Sequence, residues 1–135
     1  MNLSIFRAYD IRGKYPNEIN EEIVSKITSS FISKLRIKNS KFRIIVGYDA
    51  RLSSPKLYRA AIKTLQIANR KAQIVKAGMI TTPMLSFLAS NLKADAGIMI
   101  TASHNPKEYN GLKIVGKNAV PISGKEIYKV MSKKI

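Results

Sequence analysis

Three observations predict an α/β fold, a three-layer α/β/α sandwich around a mixed, mostly parallel sheet. Short apolar runs rich in β-branched residues alternate with stretches whose apolar residues recur at helical spacing. The junctions between them carry capping or turn residues, and such alternation favours a sheet covered by helices on both faces. The 135 residues, 45% of them hydrophobic and spread from end to end, suit a single domain with one core, 1–135.

In order, Arg7-Ala8-Tyr9-Asp10-Ile11-Arg12-Gly13 follows a short apolar start and reads as a strand running into a turn at Gly13 and Pro16. Ile19, Ile23, Val24, Ile27, Phe31, Ile32 and Leu35 form the apolar stripe of a first helix. Asn20 is its expected cap, with Glu21 and Glu22 in the first turn, where the helix dipole favours negative charge. A β-branched strand over 42–48 then ends in the loop Asp49-Ala50-Arg51. Ser53-Ser54-Pro55 opens a second helix, with Ser54 expected as cap and Pro55 in the first helical position, where its missing N–H costs nothing. Tyr58, Ala61, Ile62, Leu65 and Ala68 make its buried face.

A short strand over 72–77 is expected to stop at Gly78, and Thr81-Thr82-Pro83 repeats the cap-then-proline signal before a third helix. Ala96-Gly97-Ile98-Met99-Ile100 is a buried strand, followed by Thr101-Ala102-Ser103-His104-Asn105-Pro106. Asn110-Gly111 reads as a turn into one more strand, Leu112-Lys113-Ile114-Val115. Ser123-Gly124-Lys125-Glu126 has the form of a capping box for a last helix through Ile127, Val130 and Met131, near a Lys-rich end from Lys129 to Lys134.

Composition narrows the chemistry. There is no cysteine, which excludes disulfides, thiolate catalysis and cysteine-bound zinc and fits a reducing compartment. No apolar run approaches the roughly 20 residues of a membrane span, and the first residues have no signal-peptide core, so a cytoplasmic location without membrane contact is expected. Lys and Arg number 24 against 8 Asp and Glu, a net charge of +16. Such an excess attracts phosphorylated metabolites, polyanions or acidic protein surfaces. The lysines (Lys34, Lys38, Lys41, Lys56, Lys63, Lys71, Lys76, Lys93 and onward) are scattered without interleaved aromatics, so nucleic acid is not the expected partner. A solvated basic surface, facing an acidic partner outside the chain, accounts for them.

Ser103 lies where open α/β sheets bind ligands, at the carboxyl end of a strand. A serine hydroxyl is a poor nucleophile at neutral pH and needs a base, a metal or a charged neighbour. His104, Lys107, Lys113, Arg12 and Arg51 are the basic groups whose loops or strand ends can converge there. A Ser-His-Asp hydrolase does not fit, because the sole histidine is adjacent to the serine and there is no Gly-x-Ser-x-Gly elbow. Cations around a serine suit phosphoryl transfer, in which the protein positions the reactants and neutralises charge.

Four ordered motifs carry a resemblance: Tyr9-Asp10-Ile11-Arg12-Gly13, Gly47-Tyr48-Asp49-Ala50-Arg51, Thr82-Pro83, and the Ser103 loop continued by Tyr109-Asn110-Gly111-Leu112-Lys113. Together they resemble the N-terminal domain of the α-D-phosphohexomutases, the phosphoglucomutase and phosphomannomutase family, over essentially the whole chain. The resemblance implies a phosphoserine at Ser103 that exchanges its phosphoryl group with a phosphorylated hexose through a 1,6-bisphosphate, interconverting 1- and 6-phosphates. It implies Arg12 and Lys113 as acid/base or charge-stabilising groups, Tyr9 lining the substrate site and His104 beside the phosphoserine. It also implies Mg2+ in the complete enzyme, bound to the phosphate oxygen on Ser103 and to three aspartates.

Simpler roles compete at several positions. Ser-His-Asn-Pro is turn-rich in itself, Lys113 alternates with apolar neighbours as a solvated strand lysine does, and Asp10 can form a salt bridge. Asp49 and Arg51 are expected to shape the loop through an ion pair, and Tyr48 stands where the family usually has arginine. The aspartate-rich metal loop, the sugar-recognition loop and the phosphate-binding loop of the family's later domains are not in this sequence. Asp10, Asp49 and Asp95 lie on separate elements, so Mg2+ is not expected to bind this chain alone. The expectation is an excised domain, a truncated product or a subunit of a split mutase, inactive alone, completed by another chain or self-associating. A non-catalytic anion-binding or protein-interaction module is the alternative.

Overall fold

The computed structural model describes residues 1–35 and 41–133. Of the lysines named above, Lys38 and Lys134 lie outside the described residues. The elements run β1 (Ile11–Lys14), α1 (Glu21–Leu35), β2 (Arg43–Tyr48), α2 (Ser54–Ala68), β3 (Gln73–Met79), α3 (Thr82–Asn91), β4 (Ala96–Ile100), β5 (Tyr109–Val115), β6 (Pro121–Ile122) and α4 (Gly124–Ser132). Short 3-10 turns occupy Leu3–Ile5 and Lys117–Ala119.

One mixed sheet has the order β1-β5-β4-β2-β3, with β6 also beside β5. Parallel pairing is confined to β3, β2 and β4, which are joined by helical crossovers. The expected sheet is thus mixed, with a larger antiparallel part than the alternation of elements implies: β5 pairs antiparallel with β4, β1 and β6. The reason is the connection. Residues 101–108 are too few for a crossover of a dozen or more residues, so the chain turns back beside β4.

Alternation along the strands divides the core. Ile44, Val46, Ile98, Ile100, Leu112 and Ile114 face α1, α2 and α4 through Phe31, Leu57, Leu65 and Ile127. Ile45, Met99 and Val115 face α3 through Leu85 and Ala89. That is the three-layer arrangement, with α3 alone on the second face. β3, at the sheet edge, has no fully buried residue and runs past Gly78, which takes a left-handed φ of 73°, to Met79.

The caps follow the sequence in part. Asn20 Oδ1 accepts from the Ile23 N–H at 3.0 Å, Thr81 Oγ1 from Met84 at 3.3 Å and Ser123 Oγ from Glu126 at 3.1 Å. The Glu126 carboxylate also pairs with Lys34 on α1 at 3.4 Å, linking the two helices. Four expectations need correction. Ala68, expected on the buried face of α2, is exposed at the end of that helix, and Leu57 is buried there. The first strand is shorter than 7–13, because residues 7–10 loop away after a single bridge between Phe6 and Ile11. Ser53, not Ser54, occupies the cap position of α2, and neither side chain caps it, because both hydroxyls accept from Asn110. Asn110-Gly111 is no turn. Both residues lie within β5, opposite Gly13 and Arg12.

Gly111 is required there because β1 passes so close that a Cβ would sit 1.9 Å from the Ile11 carbonyl oxygen. Gly111→Ala should therefore cost roughly 3 kcal/mol by overpacking. At Gly116 the nearest atom to an added Cβ is 3.4 Å away. The matched Gly116→Ala should cost under about 1 kcal/mol. Urea titration of both variants checks the difference, and equal midpoints would contradict the register.

Candidate active site

The carboxyl ends of β2 and β4 lie side by side, joined where Asp49 N–H donates to the Ile100 carbonyl at 3.0 Å. Two loops leave this rim, one carrying Asp49 and Arg51, the other Ser103. At the root of the second, Thr101 N–H donates to Gly111 O at 2.9 Å and Thr101 Oγ1 accepts from Ser103 N–H at 3.0 Å. Ser103 then takes φ 54°, the left-handed region that serine seldom visits.

Arg51 holds that conformation. Its Nη2 donates to the carbonyls of Ser103 and Asn105 at 2.9 and 2.7 Å, and its Nη1 to those of Pro106 and Tyr109 at 2.6 and 3.1 Å. Nε donates to Asp49 Oδ2 at 3.1 Å. All five N–H groups of the guanidinium are thereby used. Asp49 is fixed in turn: its Oδ1 accepts from the Arg51 N–H at 3.1 Å and from Ser54 Oγ at 2.5 Å. Fully buried Asn110 completes the chain, donating to Ser53 and Ser54 Oγ at 2.8 and 2.9 Å. The Asp49–Arg51 ion pair is the loop-shaping contact expected from the sequence. Its reach across four backbone carbonyls, and the parts played by Ser54 and Asn110, were not legible there.

Arg12 approaches from the other side. Its guanidinium pairs with buried Asp10, at 3.1 Å from Nε to Oδ1 and 2.8 Å from Nη2 to Oδ2, and its Nη1 donates to Asn105 Oδ1 in the serine loop. The structure thus joins Arg12 to the Ser103 loop directly. Lys113 projects from β5 on the same face as Arg12, which lies opposite Gly111; the two positions are diagonal neighbours, roughly 7–8 Å apart. That face is not the one lined by Leu112 and Ile114. Lys113 and Tyr9, which is 77% exposed, line a common cleft of about 300 Å3 beside α3. Among the described residues no hydrogen bond joins this pair to the serine loop. His104 is exposed beside Ser103, and Tyr48 packs its ring 4.6 Å from that of Tyr58. At the far end of the loop, the Tyr15 N–H donates to the Glu108 carbonyl at 2.8 Å, and donation of its hydroxyl to Glu21 raises its pKa, with burial and the Glu21 charge adding to the effect.

Asn105 and Thr101 carry no sequence signature of their own. Their only signal is membership of the same hexapeptide as Ser103.

The residues present do not fit Mg2+. Asp10 is engaged by Arg12, Asp49 by Arg51 and Ser54, and Asp95 Oδ2 by the Arg43 N–H at 2.9 Å. Among the described residues no three His, Cys, Asp or Glu side chains are grouped to hold a metal. No described helix is long and apolar enough to cross a membrane.

Arg51→Lys keeps the charge but replaces a planar fork of five donors by a point charge with three. The amides of Asn105 and Tyr109, which donate to Ala102 and Pro106 carbonyls at 3.1 and 3.0 Å, should then exchange with deuterium at least roughly tenfold faster, while β4 amides change little. Unchanged exchange in the loop would show that Arg51 does not hold it.

Comparison with known proteins identifies the family of this fold. The family profile described as "Phosphoglucomutase/phosphomannomutase, alpha/beta/alpha domain I" matches residues 3–134. A protein named "Phosphohexose mutases" from Xanthomonas campestris pv. campestris is 39% identical over 123 residues, 91% of this chain and 26% of its own length. A phosphomannomutase of Escherichia coli (strain K12) is 43% identical over 122 residues, 90% of this chain and 25% of its length. The crystal structure of a phosphoglucomutase/phosphomannomutase family protein from Burkholderia thailandensis superposes with a TM-score of 0.82 at 32% identity, over 99% of this chain and 30% of that one. The chain therefore spans about a quarter of the length of these curated relatives. It belongs to the phosphoglucomutase/phosphomannomutase family, and its fold is that family's α/β/α domain I.

Proposed function

We propose that this chain is the phosphoryl-carrying domain of a sugar-phosphate mutase, with Ser103 Oγ as the atom that gives and receives the phosphoryl group. One observation carries the proposal: the loop is held by its carbonyls, through Arg51, and not by the serine hydroxyl, which forms no hydrogen bond to another described residue. A hydroxyl left out of the fastening is available for chemistry.

In this proposal a hydroxyl of a hexose monophosphate attacks the phosphorus on Ser103. The bond from phosphorus to Oγ breaks as the bond to the sugar oxygen forms, and the sugar hydroxyl gives up its proton. A 1,6-bisphosphate results. After it turns over, Oγ attacks the other phosphate, and the sugar oxygen regains a proton as it leaves. Arg12, oriented by Asp10, stabilises charge on the transferring group. Lys113 is the group on the same face that can exchange the proton. Tyr9 lines the substrate side of the cleft, and His104 is an oriented neighbour of the phosphoserine. Mg2+ belongs to the whole enzyme in this account, with its carboxylates supplied from outside these residues. The substrate is a phosphorylated hexose, the setting cytoplasmic carbohydrate metabolism, and the remaining parts of the site come from further family domains, whether on the same or another chain.

The purified chain, given glucose 1-phosphate, Mg2+ and a 1,6-bisphosphate, should convert none at a measurable rate. Addition of a related mutase from which domain I has been removed should restore conversion, and Ser103→Ala should abolish it by at least roughly a thousandfold. Restored turnover that survives Ser103→Ala would overturn the role of the serine. Rapid turnover by the chain alone would overturn its dependence on other domains.

A further inference from the structure

We propose a second anion site, at the amino ends of the parallel strands, for a compact polyanion carrying two or more phosphate groups. This rim is the edge of the sheet opposite the serine loop, so a ligand bound there does not occupy the reacting cleft. The segments that enter β2, β3 and β4 each bring a cation to it: Lys41 and Arg43, Lys71, and Lys93. Together with Gln73 and Asp95 they line a depression of about 640 Å3, a size suited to a small ligand.

The side chains are arranged to leave positive charge facing outward. Arg43 is pinned, its Nε donating to Gln73 Oε1 at 2.9 Å and its Nη1 to the Leu92 carbonyl at the end of α3. Asp95, the one carboxylate in the lining, turns its Oδ2 to the Arg43 backbone N–H at 2.9 Å. Among the described residues Lys41, Lys71 and Lys93 have no carboxylate partner within ion-pair distance. Lysines near helix ends also offset the helix dipole. The ends of α2 and α3 here represent about half a negative charge each, which with Asp95 leaves about two positive charges unbalanced.

The lining also selects the class of ligand. Phe42 is buried, so no aromatic face is available on which a base can stack. No exposed apolar side chain offers an anchor for a peptide. What remains is a shallow group of ammonium and guanidinium donors, which suits clustered phosphate oxygens.

Calorimetric titration with inorganic tripolyphosphate at low salt tests the site. The double variant Lys71→Glu/Lys93→Glu should bind at least roughly tenfold more weakly than the unaltered chain. Lys125→Glu/Lys129→Glu, which makes the same change of net charge on exposed positions of α4, should change binding less than about twofold. Equal weakening by both pairs would overturn the site, since attraction would then follow net charge alone. Tighter binding of duplex DNA than of tripolyphosphate by the same titration would overturn the small-anion assignment.

Discussion

One guanidinium determines where the Ser103 loop stands. A serine in the left-handed region costs about 1–2 kcal/mol, and a loop of this kind at a sheet rim would otherwise leave its carbonyls to solvent. Hydrogen bonds to charged groups contribute about 1.5–3 kcal/mol each, and Arg51 makes four of them to the loop's carbonyls. The balance favours the strained conformation. Because Arg51 is itself held by Asp49, and Asp49 by Ser54, the loop takes its position from the start of α2 rather than from β4 alone.

The antiparallel half of the sheet decides which side chains adjoin the serine rim. Since β5 returns beside β4, and β1 closes on β5 at Gly111, the face bearing Arg12 and Lys113 adjoins the serine rim. A parallel crossover would have placed a helix in that path. The short connection leaves positive side chains on an open face, with Arg12 reaching Asn105 across it.

Much of this was legible in sequence because each element announces itself through a local rule. Asn20 and Ser123 cap the helices they precede, since a short polar side chain just before an apolar stripe has one inexpensive use. Where a residue serves a distant partner, local rules fail. Ser54 looks like a cap, but Asp49 and Asn110 claim its hydroxyl; Asn110-Gly111 looks like a hairpin turn, but it forms the middle of a strand crossing. Of the candidate residues, Ser103 and Arg12 are joined through one loop, whereas Lys113 and Tyr9 share a neighbouring cleft. Sequence spacing has no means of separating those two arrangements, because both depend on which strand lies beside β5.

The central claim is that the Ser103 oxygen carries the phosphoryl group, and its direct test is to locate the label. The chain, combined with complementing mutase domains and given a 1,6-bisphosphate labelled with radioactive phosphorus, would be digested and the labelled peptide identified. The account predicts one acid-stable label, on Ser103. An acid-labile label on His104, or a stable label on any other residue, would contradict it.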